Sequence, residues 1–218
     1  MTDLKEEVPG IVLLVLAIVV IFIPLIVLIS KYYLVNQENM NVQKTIDTIM
    51  AKIDGLKKGE GNDFTIQGFK GAENWYLVGW DKDEVGRPDK CFVFNGCICL
   101  CKLGPSEYFS DNGIDANFRG KFFSPVCQKS GFCREAGIAS LSVKTFLLVD
   151  GQLTNLNVPY VHLPTNLLSV RIEKSELKDN GGKTISSLSI QRLCDKSMET
   201  EGNKCPAVHS SNYQLEGI

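Results

Sequence analysis

Nineteen consecutive apolar residues, from Ile11 to Ile29, constrain this chain more than any other feature of its sequence. No charged residue lies between Glu7 and Lys31. At about 1.5 Å per residue, a helix of this length spans about 28 Å, close to the thickness of the hydrocarbon core of a lipid bilayer. We therefore predict a transmembrane helix over residues 11–29, in contact with the bilayer, after a cytoplasmic tail of residues 1–10.

The leader and the cysteines decide the predicted topology. The leader MTDLKEEVPG is acidic and no small-residue cleavage site follows the apolar run, so a retained single-pass signal anchor is favoured over a cleaved secretory signal. Eight cysteines, all after residue 90, are typical of disulfides formed in an oxidising compartment. The C-terminal domain is therefore expected outside the cytoplasm, at the cell membrane. The predicted disulfide cysteines are Cys91, Cys97, Cys99, Cys101, Cys127, Cys133, Cys194 and Cys205.

Residues 30–57 carry a heptad pattern that predicts an amphipathic stalk helix continuing from the anchor. Its apolar positions alternate in spacing between four and three residues, and most are β-branched, which favours coiled coils of more than two strands. One interpretation is an oligomerising stalk that joins copies of the chain, or other membrane-anchored chains, through residues 35–56. The other is packing against the chain's own C-terminal domain or a partner's helix. This stripe, called the seam, consists of Val35, Asn39, Val42, Ile46, Ile49, Ile53 and Leu56.

After a Gly-rich linker at residues 58–63, the remainder (residues 64–218) is predicted to be mainly β. Short runs of alternating apolar and polar residues, separated by turn signals such as Asp150-Gly151, indicate a disulfide-stapled, β-sandwich-like domain. The predicted strands are Phe64–Gly68, Trp75–Trp80, Cys91–Phe94, Cys97–Leu103, Leu141–Val149, Gln152–Leu163, Leu168–Lys174 and Thr184–Leu193.

The run Cys91–Cys101 is the densest in cysteine. Asn95-Gly96 lies between apolar runs and predicts a two-residue hairpin turn. In that hairpin Cys97, Cys99 and Cys101 share one face of the strands, and Cys91 lies on the opposite face. Cysteines two apart on a strand have Cα atoms about 7 Å apart, too far to bridge, so the three are expected to bond to different partners. The connectivity stays open, with Cys194–Cys205 as one candidate pair.

The sequence predicts no metal site, no cofactor, no catalytic residue and hence no enzyme. The cysteine run lacks the C-x2-C pairs of zinc ribbons, and three thiolates along one strand face spread too widely for one tetrahedral ion. The segment around Gly182-Lys183-Thr184 lacks the rest of a P-loop, and no serine lies in a nucleophile elbow. Scattered basic residues in a chain of net charge −2 argue against nucleic-acid binding. Trp75, Tyr76 and Trp80 form a candidate binding platform, with core packing as the alternative.

Two resemblances add to this interpretation. The Trp75-Tyr76-Leu77-Val78 strand, followed by Cys91, the run Cys97-Ile-Cys99-Leu-Cys101, Cys127 and Cys133, resembles uncharacterised single-pass, cysteine-rich surface proteins of DPANN archaea. It covers about residues 74–134 and implies no activity.

The overall layout is also similar to that of a type IV pilin. An apolar helix continues into an amphipathic one, a β-rich head follows, and two cysteines lie near the C-terminus. Gly10 before Ile11 matches the prepilin cleavage glycine. The chain departs from pilins in its acidic leader and in Val15, where pilins place a glutamate.

Together these features predict a non-enzymatic cell-surface protein for adhesion or for assembly with other anchored chains. One alternative is an extracytoplasmic ligand-binding or accessory subunit of a membrane complex. It is expected to have a deep pocket lined by Trp75, Trp80 or the Phe-rich loop, the segment Gly104–Arg134 that carries Phe109, Phe118, Phe122 and Phe123. The second alternative is a pilin-like filament subunit.

Overall fold

The computed structural model describes residues 4–103, 122–149, 152–163, 165–178 and 184–195. Its first element is a single helix, α1, from Leu4 to Gly55. The helix is long and apolar enough to cross a membrane, and none of its most apolar window is buried in the structure. The chain divides into two compact units, residues 1–40 and 41–218. The boundary between the two units therefore lies inside α1, at residues 40 and 41. The predicted linker, residues 58–63, comes after the end of α1.

The last four turns of α1 belong to the second unit, called the β domain, because their apolar side chains are buried in its core. Val42, Ile46, Ile49, Ile53 and Leu56 are at most 8% exposed. The two earlier seam residues differ, since Val35 is 56% exposed and Asn39 is half-buried. Of the two interpretations of the seam, the structure shows the second for Val42 to Leu56: these residues pack against the chain's own C-terminal domain. These five side chains have no surface left for the predicted stalk contact.

The described residues contain nine strands in two sheets, which confirms a mainly β domain after the helix. The first sheet has five strands in the order β1-β8-β9-β5-β6, antiparallel except for the parallel pair β5–β9. Its strands are β1 Gly61–Gln67, β5 Ser140–Val149, β6 Gln152–Val158, β8 Leu167–Lys178 and β9 Thr184–Asp195.

The second sheet is antiparallel, in the order β4-β3-β2-β7. A short helix, α2, precedes β4 and spans Ser124–Ser130. The sequence predicted neither α2 nor β4, because both lie in a stretch without clear periodicity. The strands of this sheet are β2 Trp75–Trp80, β3 Cys97–Lys102, β4 Phe132–Glu135 and β7 Val161–His162.

Two clusters of buried side chains lie on opposite faces of β2 and β3. The larger cluster joins α1 with both sheets, through Ile46, Leu77, Ile98 and Leu188 among others. The predicted sandwich did not include this helix in the core. The second cluster contains Trp80, five cysteines and residues of α2. Alternation along a strand divides the apolar residues between the clusters, so β2 and β3 are covered on both faces.

The predicted strand Cys91–Phe94 and its hairpin are wrong. Residues 89–91 form a 3-10 helix that continues into turns, with the Phe94 amide donating to the Cys91 carbonyl oxygen at 3.0 Å. Gly96 does not adopt the positive φ that a type I′ turn requires. Instead, a Cβ at Gly96 would clash with the carbonyl oxygen of Ile138, so glycine is needed here for close backbone approach.

Candidate functional site: the cysteine-rich loop and strand

Three disulfides join β3 to three different elements. Cys97 bonds to Cys91 in the 3-10 helix, Cys99 to Cys133 on β4, and Cys101 to Cys127 on α2. This confirms that the three cysteines of β3 bond to different partners. The prediction that Cys91 lies on the opposite face from Cys97 is wrong, because the 3-10 turn brings their Cα atoms within 5.6 Å. Cys194 is also disulfide-bonded, and Cys205 lies outside the described residues.

Strand pairing positions the sulfur atoms. β3 lies between β2 and β4, and Cys99 is directly opposite Cys133 in the ladder. Their Cα atoms are 4.1 Å apart, the close approach typical of a non-hydrogen-bonded antiparallel pair. On the other side of β3, Trp80 is opposite Cys97, so its indole shares the face of the cysteine.

The Sγ atoms of Cys91, Cys97, Cys99 and Cys133, called the sulfur cluster, all lie within 4.8 Å of one another. Cys99 Sγ is 3.6 Å from Cys91 Sγ and 3.7 Å from Cys97 Sγ, although it is bonded to neither. Three of the cysteines are fully buried and Cys133 is half-buried. The expectation that thiolates along one strand face spread too widely for one ion concerned Cys97, Cys99 and Cys101. The sulfur cluster is a different set, because Cys91 of the 3-10 turn and Cys133 of β4 take the place of Cys101.

A buried arginine organises the loop beside the sulfur cluster. The Arg87 guanidinium donates hydrogen bonds to the carbonyl oxygens of Asp81, Lys82, Phe92 and Phe94, and the residue is largely buried. This role was not predicted, because the sequence around Arg87 is that of an ordinary charged turn. The only local signal was an arginine beside proline and glycine in a loop that ends at a cysteine.

The same loop displays three apolar side chains to solvent. Val85 is 93% exposed, Phe92 63% and Val93 86%, and we call these three residues the apolar tip. The Arg87 hydrogen bonds and the Cys91–Cys97 disulfide fix the backbone that carries Phe92 and Val93. The tip is thus held in place by buried polar contacts.

The predicted aromatic platform is not present as a surface. Alternation along β2 places Trp75 in the larger cluster and Trp80 in the cluster with the cysteines, and both are at most 1% exposed. Tyr76 packs edge-to-face against Tyr160, with ring centroids 5.4 Å apart. Burial, and to a smaller extent Tyr76, raises the pKa of Tyr160. Core packing, the alternative interpretation, is what the structure shows.

Among the described residues, two hollows away from the sulfur cluster have a defined lining. One, of about 450 Å³, runs between the polar side of α1 near Lys44 and Thr48 and the end of β1 near Phe69. The other, of about 570 Å³, lies on the five-stranded sheet and includes Asp63 and Arg171. Neither is lined by Trp75, Trp80, Phe122 or Phe123, and residues 104–121 of the Phe-rich loop lie outside the described residues.

No protein-family model, no curated protein and no solved structure matches this chain.

Proposed function

We propose that the protein is a non-enzymatic, membrane-anchored cell-surface protein whose β domain lies outside the cytoplasm and assembles with other anchored chains. The observation that carries this proposal is the division of α1. The residues from Val12 to Ile29 are apolar and, where their side chains are described, largely exposed, as a helix in lipid requires, whereas the seam residues from Val42 to Leu56 are buried in the β domain. The anchor helix therefore ends inside the domain that it holds.

The disulfides support an extracytoplasmic location. Every cysteine among the described residues is bonded, as expected for a chain that matures in an oxidising compartment. The apolar tip supports assembly, because exposed aromatic and branched side chains on a fixed loop bury apolar area on contact at a low cost in conformational entropy.

The intact mass of the chain tests anchor and location together. The protein is extracted from membranes without reductant, with thiols blocked at lysis. A full-length mass that lacks eight hydrogens, with no blocking group added, is expected for a retained anchor and eight bonded cysteines. Blocked thiols would place the domain in a reducing compartment and overturn the location.

Chemical cross-linking in membranes tests assembly through the apolar tip. The expected result is a cross-linked species that the double variant Phe92→Ser/Val93→Ser loses. The control is Leu167→Ser, which removes a similarly exposed side chain, 65% accessible, on the five-stranded sheet. A species that survives in the double variant, or one that the control also abolishes, would count against the tip as the contact surface.

A pilin-like filament subunit is the second candidate, and the division of α1 favours it specifically. An apolar first half and a second half packed into a β-rich head match the layout that the pilin resemblance implies. Val15 stands where pilins carry a glutamate, so this candidate requires assembly without that charge. It predicts a mature chain that begins at Ile11, which the same mass measurement detects. A full-length mass would refute it and leave the anchored-protein proposal intact.

A further inference from the structure

The sulfur cluster has the dimensions of a metal site. Around Zn²⁺ four thiolates at about 2.3 Å form a tetrahedron, whose edges are about 3.8 Å long. The two non-bonded sulfur separations at Cys99, 3.6 and 3.7 Å, are close to that edge. The bonded pairs would open by less than 2 Å to reach it, from the usual disulfide length of about 2.0 Å.

We propose that, in the reduced chain, Cys91, Cys97, Cys99 and Cys133 bind one Zn²⁺ ion or a similar thiophilic divalent ion as a tetrathiolate site. Disulfide exchange is the competing use of such close sulfurs. A thiolate attacks a disulfide along the axis of the sulfur–sulfur bond, but Cys99 Sγ is almost equally far from Cys91 Sγ and Cys97 Sγ and so lies beside that bond. Nearly equal sulfur–sulfur distances are instead those expected between the ligands of one tetrahedral ion.

Backbone contacts that do not depend on the disulfides hold the four ligands together. The β3–β4 ladder pairs Cys99 with Cys133. The Cys91 amide donates to the Pro88 carbonyl oxygen at 2.8 Å, which maintains the turn that brings Cys91 toward Cys97. Reduction therefore leaves the Cα positions in place, and side-chain rotation is sufficient to form the site.

The surroundings compensate the charge of the site. Four thiolates around a divalent ion carry a net charge of −2, which is costly to bury without nearby donors or cations. The Arg87 guanidinium donates to the carbonyl oxygens of Phe92, the residue after Cys91, and of Phe94. Among the described residues, Trp80 Nε1 is a buried donor without a hydrogen-bond partner, and it lies in the same cluster as the cysteines. A thiolate sulfur supplies the acceptor that it lacks.

The oxidised cluster, with its two disulfides, and the reduced cluster, with its metal ion, exclude each other because they use the same four sulfur atoms. Each disulfide takes up two electrons and two protons. A dithiol supplies both and becomes a disulfide, whereas a phosphine supplies the electrons, water supplies the protons, and the phosphine becomes its oxide. The four resulting thiols lose four protons to solvent when the metal binds. Exchange with two equivalents of a disulfide oxidant, each reduced to two thiols, returns the two disulfides and releases the ion. The metal form thus belongs to the chain before oxidation, and it does not depend on the proposed surface role.

Zinc protection of cysteines in the unmodified full chain tests the site. The detergent-solubilised protein is reduced with a phosphine, freed of reductant under argon, and alkylated with and without one equivalent of Zn²⁺. Peptide mapping by mass spectrometry should show alkylation of the four cluster cysteines slowed about tenfold or more by zinc. Cys101 and Cys127 are the internal control, since both are also fully buried. Equal protection of the control pair, or no protection of the cluster, would overturn the proposal.

Cobalt absorption provides a second measurement in variants. Cys101→Ser/Cys127→Ser should bind one Co²⁺ per chain and show the intense visible bands of tetrahedral thiolate coordination. Cys99→Ser removes one ligand and should weaken cobalt binding about tenfold or more, with altered bands. Octahedral spectra, or no cobalt binding, in a folded Cys101→Ser/Cys127→Ser variant would refute the site. Because zinc protection is measured on the unmodified chain, it decides the question even where a variant does not fold.

Discussion

The Arg87 guanidinium donates a hydrogen bond to the carbonyl oxygen of Phe92 at 2.6 Å, and the aromatic ring of the same Phe92 faces solvent. A buried cation thus fixes the backbone beneath an exposed apolar side chain. The guanidinium carbon also lies 5.9 Å from the Phe92 ring centroid, within the range of a cation–π contact. The stability of this loop and the display of the apolar tip therefore depend on one arginine.

Arg87→Met should lower the free energy of unfolding by about 3 kcal/mol, because four carbonyl oxygens lose a charged donor that water cannot fully replace. Arg87→Lys should cost less, about 1–2 kcal/mol, since an ammonium group reaches fewer of them. Urea unfolding of the detergent-solubilised chain, followed by tryptophan fluorescence, measures both. Arg171→Lys is the matched control, because Arg171 is exposed in its ion pair with Asp63 and the change should cost less than about 0.5 kcal/mol. Equal losses at Arg87 and Arg171 would contradict the role of the buried hydrogen bonds.

Val42 and Val35 occupy equivalent seam positions one heptad apart, yet Val42 is fully buried and Val35 is 56% exposed. Val42→Ala should lower the free energy of unfolding by about 2 kcal/mol, through lost burial and a small cavity. Val35→Ala should change it by less than about 0.5 kcal/mol. The same urea titration compares them. A larger effect at Val35, dependent on protein concentration, would instead support the predicted oligomerising stalk.

Local sequence patterns predicted most of the strands. Trp75–Trp80 was predicted with its observed bounds, because its turn-flanked run of aromatic and β-branched residues is a strong strand signal. The seam likewise predicted the amphipathic stretch of α1. The surface against which the seam packs was not predictable, because a heptad pattern is the same whether it contacts a second helix or the chain's own sheets.

The candidate site was predictable only in part. Strand geometry correctly predicted that the three cysteines of β3 form disulfides with three different partners. The sulfur cluster was missed because it depends on β4, whose four residues carry little periodic signal, and on the 3-10 turn at Cys91. Asn95-Gly96 favoured a hairpin locally, but β3 pairs with β4 on that side, and the pairing leaves no place for a strand at residues 91–94.

Removing Cys101–Cys127 should destabilise the oxidised chain more than removing Cys91–Cys97. All four side chains are fully buried, so their loss from the core has a similar cost. The two bridges differ in sequence separation, 26 against 6, and closing the longer loop removes more entropy from the unfolded chain. The expected difference in the free energy of unfolding between the two double alanine variants is about 1 kcal/mol. Urea unfolding without reductant measures it, and the reverse order would show that local packing outweighs loop closure.

Tyr160 should make the β domain lose stability in alkali. Because burial raises the pKa of its phenol in the folded chain, the unfolded chain loses this proton at lower pH, near 10. Above about pH 10 the unfolded state therefore binds fewer protons than the folded state, and the free energy of unfolding falls as the pH rises further. Tyr160→Phe should keep the stability at neutral pH within about 1–2 kcal/mol but reduce the slope above pH 10. Urea unfolding at several values between pH 8 and about pH 11 compares the slopes. An unchanged slope in Tyr160→Phe would show that other groups cause the alkaline loss.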